Sequence, residues 1–266
     1  MEFGILMLLN LAALIALMLV VWLLSLLFQD VSIVDVFWGI GFVLVAGISI
    51  SVAKSPPARA WLLAGLAFVW GLRLAGYLGW RKFGRPEDYR YRAVRDYYGN
   101  RFWIVSLLLV FGLQAGLIWV ISWPLQVVTS GSCGWNAWDV AGAILWMIGF
   151  LFEAVGDYQM ARFKADPGNQ GKLYSGGLWK FTRHPNYFGD FLVWWGLTLL
   201  AFAGGAPWWI IVSPLTISFL LIRVSGVSLL EKSLKHRTPG YEVYMRNTSA
   251  FFPWLPKKAD DRLLNQ

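Results

Sequence analysis

Glu153 and Asp157 close a long apolar run and lie four residues apart, which on a helix places both carboxylates on one face. Two acids so placed repel unless cations or hydrogen-bond donors meet them, and the next segment offers Arg162, Lys164, Lys172 and Arg183. The arrangement reads either as an ion-pair collar locking helix ends or as a set of acceptors for a polar ligand. Beyond the turn-forming pair Gly176-Gly177 comes Arg183-His184-Pro185-Asn186-Tyr187, which opens the following apolar run. Proline suits a first helical turn, and a helix N-terminus flanked by Arg183 and His184 suits an anion such as phosphate. Asn186, Asp190 and Trp194 recur every four residues, so an amide, a carboxylate and an indole share one side, able to bond a carboxamide or a sugar. A second polar cluster, Glu231, Lys232, Lys235, His236 and Arg237, continues through Tyr241, Glu242 and Tyr244 to Arg246. It reads as an amphipathic interfacial helix returning to the membrane at Phe251-Phe252-Pro253-Trp254, or as the other half of one ligand site. In the first half of the chain, Asp35 is the acid inside an apolar stretch.

The elements that must position these groups are membrane helices. Of the 266 residues, 58% are hydrophobic and 14% charged, and the mean hydropathy is +0.55, outside the range of water-soluble domains. The pattern predicts a single integral membrane domain over 1–266, an all-α polytopic helix bundle of about seven transmembrane helices. The spans run from about Phe3 to Phe28, Val31 to Ala53, Trp61 to Trp80, Phe102 to Ile121, Val140 to Tyr158, Tyr187 to Ala203 and Trp208 to Val227. The first has no Lys or Arg before it and no small-residue cleavage site, so it reads as an uncleaved helix. Basic residues concentrate in Arg81 to Arg101, Arg162 to Arg183 and the tail from Arg223, while Ser122 to Asp139 and Gly204 to Pro207 hold none. Basic loops stay cytoplasmic, so an outside N-terminus, seven crossings and a cytoplasmic C-terminus put all three on one side. Gly39, Gly41, Gly65, Gly71, Gly76 and Gly79 allow close helix packing in and near the second and third spans. The net charge of +8 in a membrane protein points to anionic membrane lipids rather than nucleic acid. One cysteine, Cys133, excludes an intrachain disulfide, and with only His184 and His236 no metal centre is expected.

The stretch from Asp157 through Gly176-Gly177-Leu178 and Arg183-His184-Pro185-Asn186-Tyr187-Phe188-Gly189-Asp190, with the ending Glu231 to Pro253, resembles the C-terminal domain of the steroid 5-alpha-reductase family. Within that family it looks closest to a bacterial branch formerly of unknown function, which implies a multi-pass protein of a bacterial inner membrane. Gly84-Arg85-Pro86 after the third span adds a short match in the first half. The resemblance implies a cofactor, NADPH, held by residues 140–256, and a lipid or steroid-like small-molecule substrate taken by residues 1–121. It implies cofactor contacts at Glu153, Asp157, Lys164, Lys172, Asn186, Tyr187 and Asp190; Arg162, Arg183, His184 and Glu231 complete the expected set. In the steroid reductases a Gln-Glu pair in the second helix and a Tyr in the third polarise the substrate carbonyl, and these do not carry over. The second span offers Asp35 instead, and Tyr91 or Tyr77 lies in the neighbourhood of the missing tyrosine.

Reduction of a double bond conjugated to a carbonyl needs a donor where enolate charge develops, and a desolvated carboxyl such as Asp35 can serve, with Tyr91 or Tyr77 as second donor. The rival expectation is an S-adenosylmethionine-dependent lipid or isoprenoid methyltransferase, since isoprenylcysteine carboxyl methyltransferases carry a similar Arg-His-Pro-x-Tyr stretch. In that case Arg183, His184, Tyr187 and Glu231 would hold the methionine carboxylate and amine. A non-enzymatic lipid-binding protein is the third expectation, and it requires no nucleotide at either polar cluster.

Overall fold

The computed structural model describes residues 3–128, 134–224 and 238–257, with Val227, Glu231, Leu234 and Lys235 between the last two ranges. Cys133, Lys232, His236 and Arg237 lie outside the described residues. The chain is helical and carries no strand among the described residues, only an isolated parallel bridge between Thr182 and Ser249. Among the described residues, five helical stretches are long and apolar enough to cross a membrane: Phe3–Phe28, Val31–Val52, Ala58–Lys82, Tyr89–Ile121 and Ala137–Ala165. The stretch Trp208–Val224 is apolar but shorter. The sixth expected span is the helix Pro185–Ala203, whose first two turns hold Pro185, Asn186 and Asp190 where a plain anchor would hold apolar residues.

The chain packs as two compact units. The first comprises Met1–Asp139 and Leu197–Ser213, so the end of one helix and the turn after it join the first unit rather than the half expected to bind a cofactor. It contains α1 (Phe3–Phe28), α2 (Val34–Val52), α3 (Ala58–Lys82), α4 (Tyr89–Tyr98), α5 (Phe102–Ser106), α6 (Leu113–Ile121) and α7 (Trp123–Val127). A π-helical stretch, Leu107–Gly112, joins α5 to α6. Along α1 the buried residues are Leu6, Asn10, Leu14, Met18, Val21 and Ser25, three or four apart, and Leu8, Leu19, Leu23 and Leu27 face out. With no charge on either face, the outer one suits lipid. Of the glycines expected to pack closely, Gly39 and Gly71 do so: a Cβ on Gly39 would lie 2.4 Å from the Gly71 carbonyl oxygen, so the two backbones touch there, whereas Gly65 and Gly76 have nothing within 4 Å. At the start of α3, Arg59 is buried and bidentate on Asp139, with Nε–Oδ1 at 2.6 Å and Nη2–Oδ2 at 2.8 Å.

The second unit comprises Val140–Gly196 and Pro214–Gln266. It holds most of α8 (Ala137–Ala165), the first part of α9 (Pro185–Ala203), the later part of α10 (Val212–Phe219) and α11 (Tyr241–Asn247). Its two longest helices meet on a glycine seam. A Cβ on Gly149 would lie 2.6 Å from the Gly189 oxygen, and one on Gly196 would lie 2.6 Å from the Trp146 nitrogen and 2.7 Å from the Gly142 oxygen. Glycines spaced by seven on both helices, 142, 149 and 156 against 189 and 196, therefore keep one face free of side chains. That contact fixes α8 against α9 where both carry their acids.

Candidate functional site

In the second unit the seam brings the polar residues together. A Cβ on Gly189 would lie 2.4 Å from the Glu153 nitrogen and one on Gly156 would lie 3.3 Å from the Asn186 nitrogen, so the last turns of α8 run directly against the first turns of α9. Glu153 and Asp157 are both buried, at 3% and 5% exposure, on the α8 face turned inward. Asn186 Nδ2 donates to Asp157 Oδ1 at 3.1 Å, and the Tyr187 backbone N–H donates to Asn186 Oδ1 at 3.1 Å. The second bond fixes the amide so that its NH2 faces the carboxylate. Asp190, one turn further along α9, is half-buried. The Asn186 amide thus meets the Asp157 carboxylate across the seam, with Glu153 one turn away on α8 and Asp190 one turn away on α9. Arg162 and Lys164 at the end of α8 and Lys172 in the following loop are exposed.

The loop leading into α9 is clamped on two sides. Gln159 of α8 accepts the Leu178 N–H at 3.0 Å, and Trp179 Nε1 donates to the Gly156 carbonyl at 3.0 Å. Gly177 is in the left-handed region at φ +56°, and a Cβ there would run into the Gln159 amide at 2.4 Å. From the other side the C-terminal segment supplies acceptors: Thr182 Oγ1 donates to the Phe251 carbonyl, and the Arg183 N–H donates to that of Ser249.

Arg183 and His184 are placed differently from the anion reading. Arg183 Nε donates to Glu231 Oε1 at 2.7 Å, while Nη1 donates to the Met245 carbonyl at 2.8 Å and the Thr248 carbonyl at 2.5 Å. Those carbonyls end α11, where a cation is favoured by the helix dipole and by unsatisfied acceptors. His184 Nε2 lies 3.3 Å from the same Glu231 oxygen, and its ring stacks on Tyr187. Burial works to raise the Glu231 carboxyl pKa, but hydrogen bonds from His184 and Arg183 outweigh it and hold the group below the usual carboxylate range. Burial, reinforced by the charge of Glu231, pushes the Tyr241 hydroxyl up to about 12. The start of α9 is also partly satisfied from within: Pro185 has no N–H, and those of His184 and Tyr187 go to Thr182 Oγ1 and Asn186 Oδ1. The Arg183–Glu231 pair is a brace, and the free helix N-terminus expected for phosphate is not what the structure presents.

The first unit holds a second constellation. Tyr91 Oη donates to Asp35 Oδ1 at 2.6 Å, and Arg90 Nη2 donates to Asp35 Oδ2 at 2.9 Å. Of the two tyrosines left open by the sequence, Tyr91 is the one bonded to Asp35. Tyr77 lies among Arg73, Arg81 and Trp80. Arg90 escaped the sequence reading although it adjoins Tyr91; it also bonds Asp88 Oδ1 at 2.9 Å, so it ties α2 to the N-terminus of α4. Asp35 accepts from both Tyr91 and Arg90, so Tyr91 Oη is the donor toward the carboxylate in this group.

Comparison with known proteins supplies a family but no activity. The chain is similar to an uncharacterized protein of Schizosaccharomyces pombe, 26% identical over 89% of this chain and 76% of that protein. It is also similar over a shorter stretch to the probable O-methyltransferase ustE of Ustilaginoidea virens, 38% identical over 26% of this chain and 24% of that protein. No solved structure matches. A family model covers residues 21–248, from within α1 to just beyond α11, and so takes in both constellations; the chain belongs to the family described as Protein of unknown function (DUF1295).

Proposed function

We propose that this membrane protein is an NADPH-dependent reductase of a carbon–carbon double bond conjugated to a carbonyl in a lipid or steroid-like substrate. The observation that carries the reading is the face formed by Asp157, Glu153, Asn186 and Asp190 on two helices held together by bare backbone. Such a face suits ribose hydroxyls and a carboxamide, and the exposed Arg162 and Lys172 suit phosphate, with Lys164 on the same exposed stretch. Arg183, His184 and Glu231 contribute by holding the loop and α11 in place. When bound, NADPH supplies the hydride that such a reduction requires. Such a reduction also requires a proton, and the group assigned that role is Tyr91 Oη of the first unit, oriented by its bond to Asp35. The reading keeps seven crossings with the N-terminus outside, the last two formed by α9 and by the stretch through α10. The resemblance alone suggests a bacterial inner membrane; the two relatives above are fungal.

A second reading, methyl transfer from S-adenosylmethionine, is favoured by the match to a probable O-methyltransferase. One measurement separates the two. Protein purified in detergent is heated with NADPH, NADH or S-adenosylmethionine, and a ligand at a hundredfold excess over its Kd stabilises by about 2.7 kcal/mol. Stabilisation by NADPH that Asn186→Ala and Asp190→Ala abolish is the expected result. Stabilisation by S-adenosylmethionine alone establishes the second reading, and stabilisation by none of the three refutes both.

A further inference from the structure

Where α1 ends, the first unit contains a cavity of about 170 Å3 whose lining is divided by polarity. Leu26, Phe102 and Trp103 form an apolar wall, and Gln29, Asn100 and Arg95 form a polar one. A benzene-sized ring or a short run of methylenes fills such a volume. Leu26 and Trp103 are exposed at 38% and 53%, on the surface that continues the outward-facing leucines of α1. The apolar wall therefore faces what surrounds a membrane span, and the polar wall lies where that span stops.

The chain conformation at this point is unusual. α1 closes with the Asp30 N–H on the Ser25 carbonyl at 3.0 Å and the Gln29 N–H on the Leu26 carbonyl at 3.4 Å. This is the terminus in which the residue at position 29 must be left-handed, the place of glycine. Gln29 occupies it at φ +53°, and among the described residues it is the one non-glycine in that region. The bond it receives, from Arg95 Nη2 at 3.3 Å, goes to its main-chain carbonyl, which glycine would offer equally. The Gln29 and Asn100 amides make no hydrogen bond to described residues. Both side chains are exposed at the cavity, and a left-handed backbone at a residue other than glycine there points to a use for the Gln29 amide beyond the fold.

We propose that this cavity binds the ester-linked neck of a membrane glycerophospholipid, with the Gln29 and Asn100 amides donating to the ester carbonyls and the first methylenes lying against Leu26, Phe102 and Trp103. Headgroup charge is not what is read. Arg95, the cation in the lining, is already bidentate on Glu87 at 2.8 and 2.9 Å, so the polar wall carries no uncompensated charge. The site is independent of the coenzyme reading and stands or falls without it.

The test uses the purified full chain in a maltoside detergent, titrated with diheptanoylphosphatidylcholine, diheptanoylphosphatidylglycerol and dodecylphosphocholine, which has the phosphocholine group but no ester. Both diesters should raise the Tm by about 3 °C at tenfold excess over Kd, and dodecylphosphocholine should not. Gln29→Gly, which relieves the backbone and so folds at least as well as the parent, should lose that rise, as should Asn100→Ala and the cavity-filling Leu26→Trp. An equal rise with dodecylphosphocholine, a rise with the anionic lipid alone, no rise in the parent, or an undiminished rise in Gln29→Gly would each overturn the proposal.

Discussion

Replacing Gly189 by alanine tests the seam that positions the candidate site. The added Cβ would lie 2.4 Å from the Glu153 nitrogen, 2.5 Å from the Gly149 oxygen and 2.7 Å from the Glu153 Cβ. Two of these are backbone atoms, so no side-chain rotation relieves the overlap. Reaching an ordinary contact of about 3.4 Å requires α8 and α9 to part by about 1 Å, and a gap of that size forfeits a quarter to a half of each dispersion contact along the seam. Overpacking of this kind costs about 1–3 kcal/mol, and three simultaneous contacts without a flexible partner place Gly189→Ala at the upper end. The same shift stretches the 3.1 Å bond between Asn186 and Asp157 out of range, so coenzyme-dependent stabilisation should fall with the Tm. Gly76→Ala is the control, because a Cβ there meets nothing within 4 Å and alanine is the better helix former. Thermal unfolding in detergent, followed by tryptophan fluorescence, should separate the two variants by several degrees. Equal Tm values for Gly189→Ala and the control would show that the helices do not meet backbone to backbone.

Three further outcomes are expected. The depressed pKa of Glu231 means that its ionised form is favoured by folding. Its stabilisation is then present above the ordinary value of 4.5 and lost as pH falls through the lower folded value. The parent should therefore lose Tm on acidification below about pH 4.5; Glu231→Gln should lack that component of the slope, and parallel acid profiles would count against the brace. Arg59→Ala strands the buried Asp139 carboxylate and should destabilise by about 3–5 kcal/mol, with Arg59→Lys in between because it keeps the charge but not the bidentate geometry. Tyr91→Phe should retain NADPH-dependent stabilisation while losing NADPH oxidation supported by host lipid extract; undiminished turnover would remove Tyr91 as proton source.

Local patterns in the chain carried the reading a long way. The i, i+4 acids of α8, both buried, and the Gly39–Gly71 contact between α2 and α3 are consequences of helical period, and the structure places them accordingly. The association of Asp35 with Tyr91 was legible as two polar groups near the ends of neighbouring apolar runs. Arg183 was not legible, because its partners Glu231, Met245 and Thr248 lie 48 to 65 residues away and nothing local distinguishes a brace from an anion ligand. The seven-residue glycine spacing of α8 and α9 was visible in the sequence but reads as composition until a facing helix is known. Gln29 could not be found at all: the left-handed terminus normally announces itself by glycine, and here glutamine stands in its place.

The burial of acids in the second unit is itself an argument about what that unit is for. A carboxylate in the centre of a membrane helix costs about 2.5–3.5 kcal/mol on the insertion scale. Glu153 and Asp157 of α8 are both nearly inaccessible, and Asp190 of α9 is half-buried beside them. Had these positions served only to hold two helices together, apolar residues of similar volume would do so at least as well, since buried polar pairs seldom outperform good packing. The glycine seam already supplies that adhesion without them. What apolar residues cannot supply is a fixed array of acceptors at the N-terminus of α9, and the Tyr187 N–H aims the Asn186 amide into that array rather than leaving it to find its own partner. The expenditure of helix stability on orientation, at one end of two closely packed helices, is what the proposed ligand site would account for.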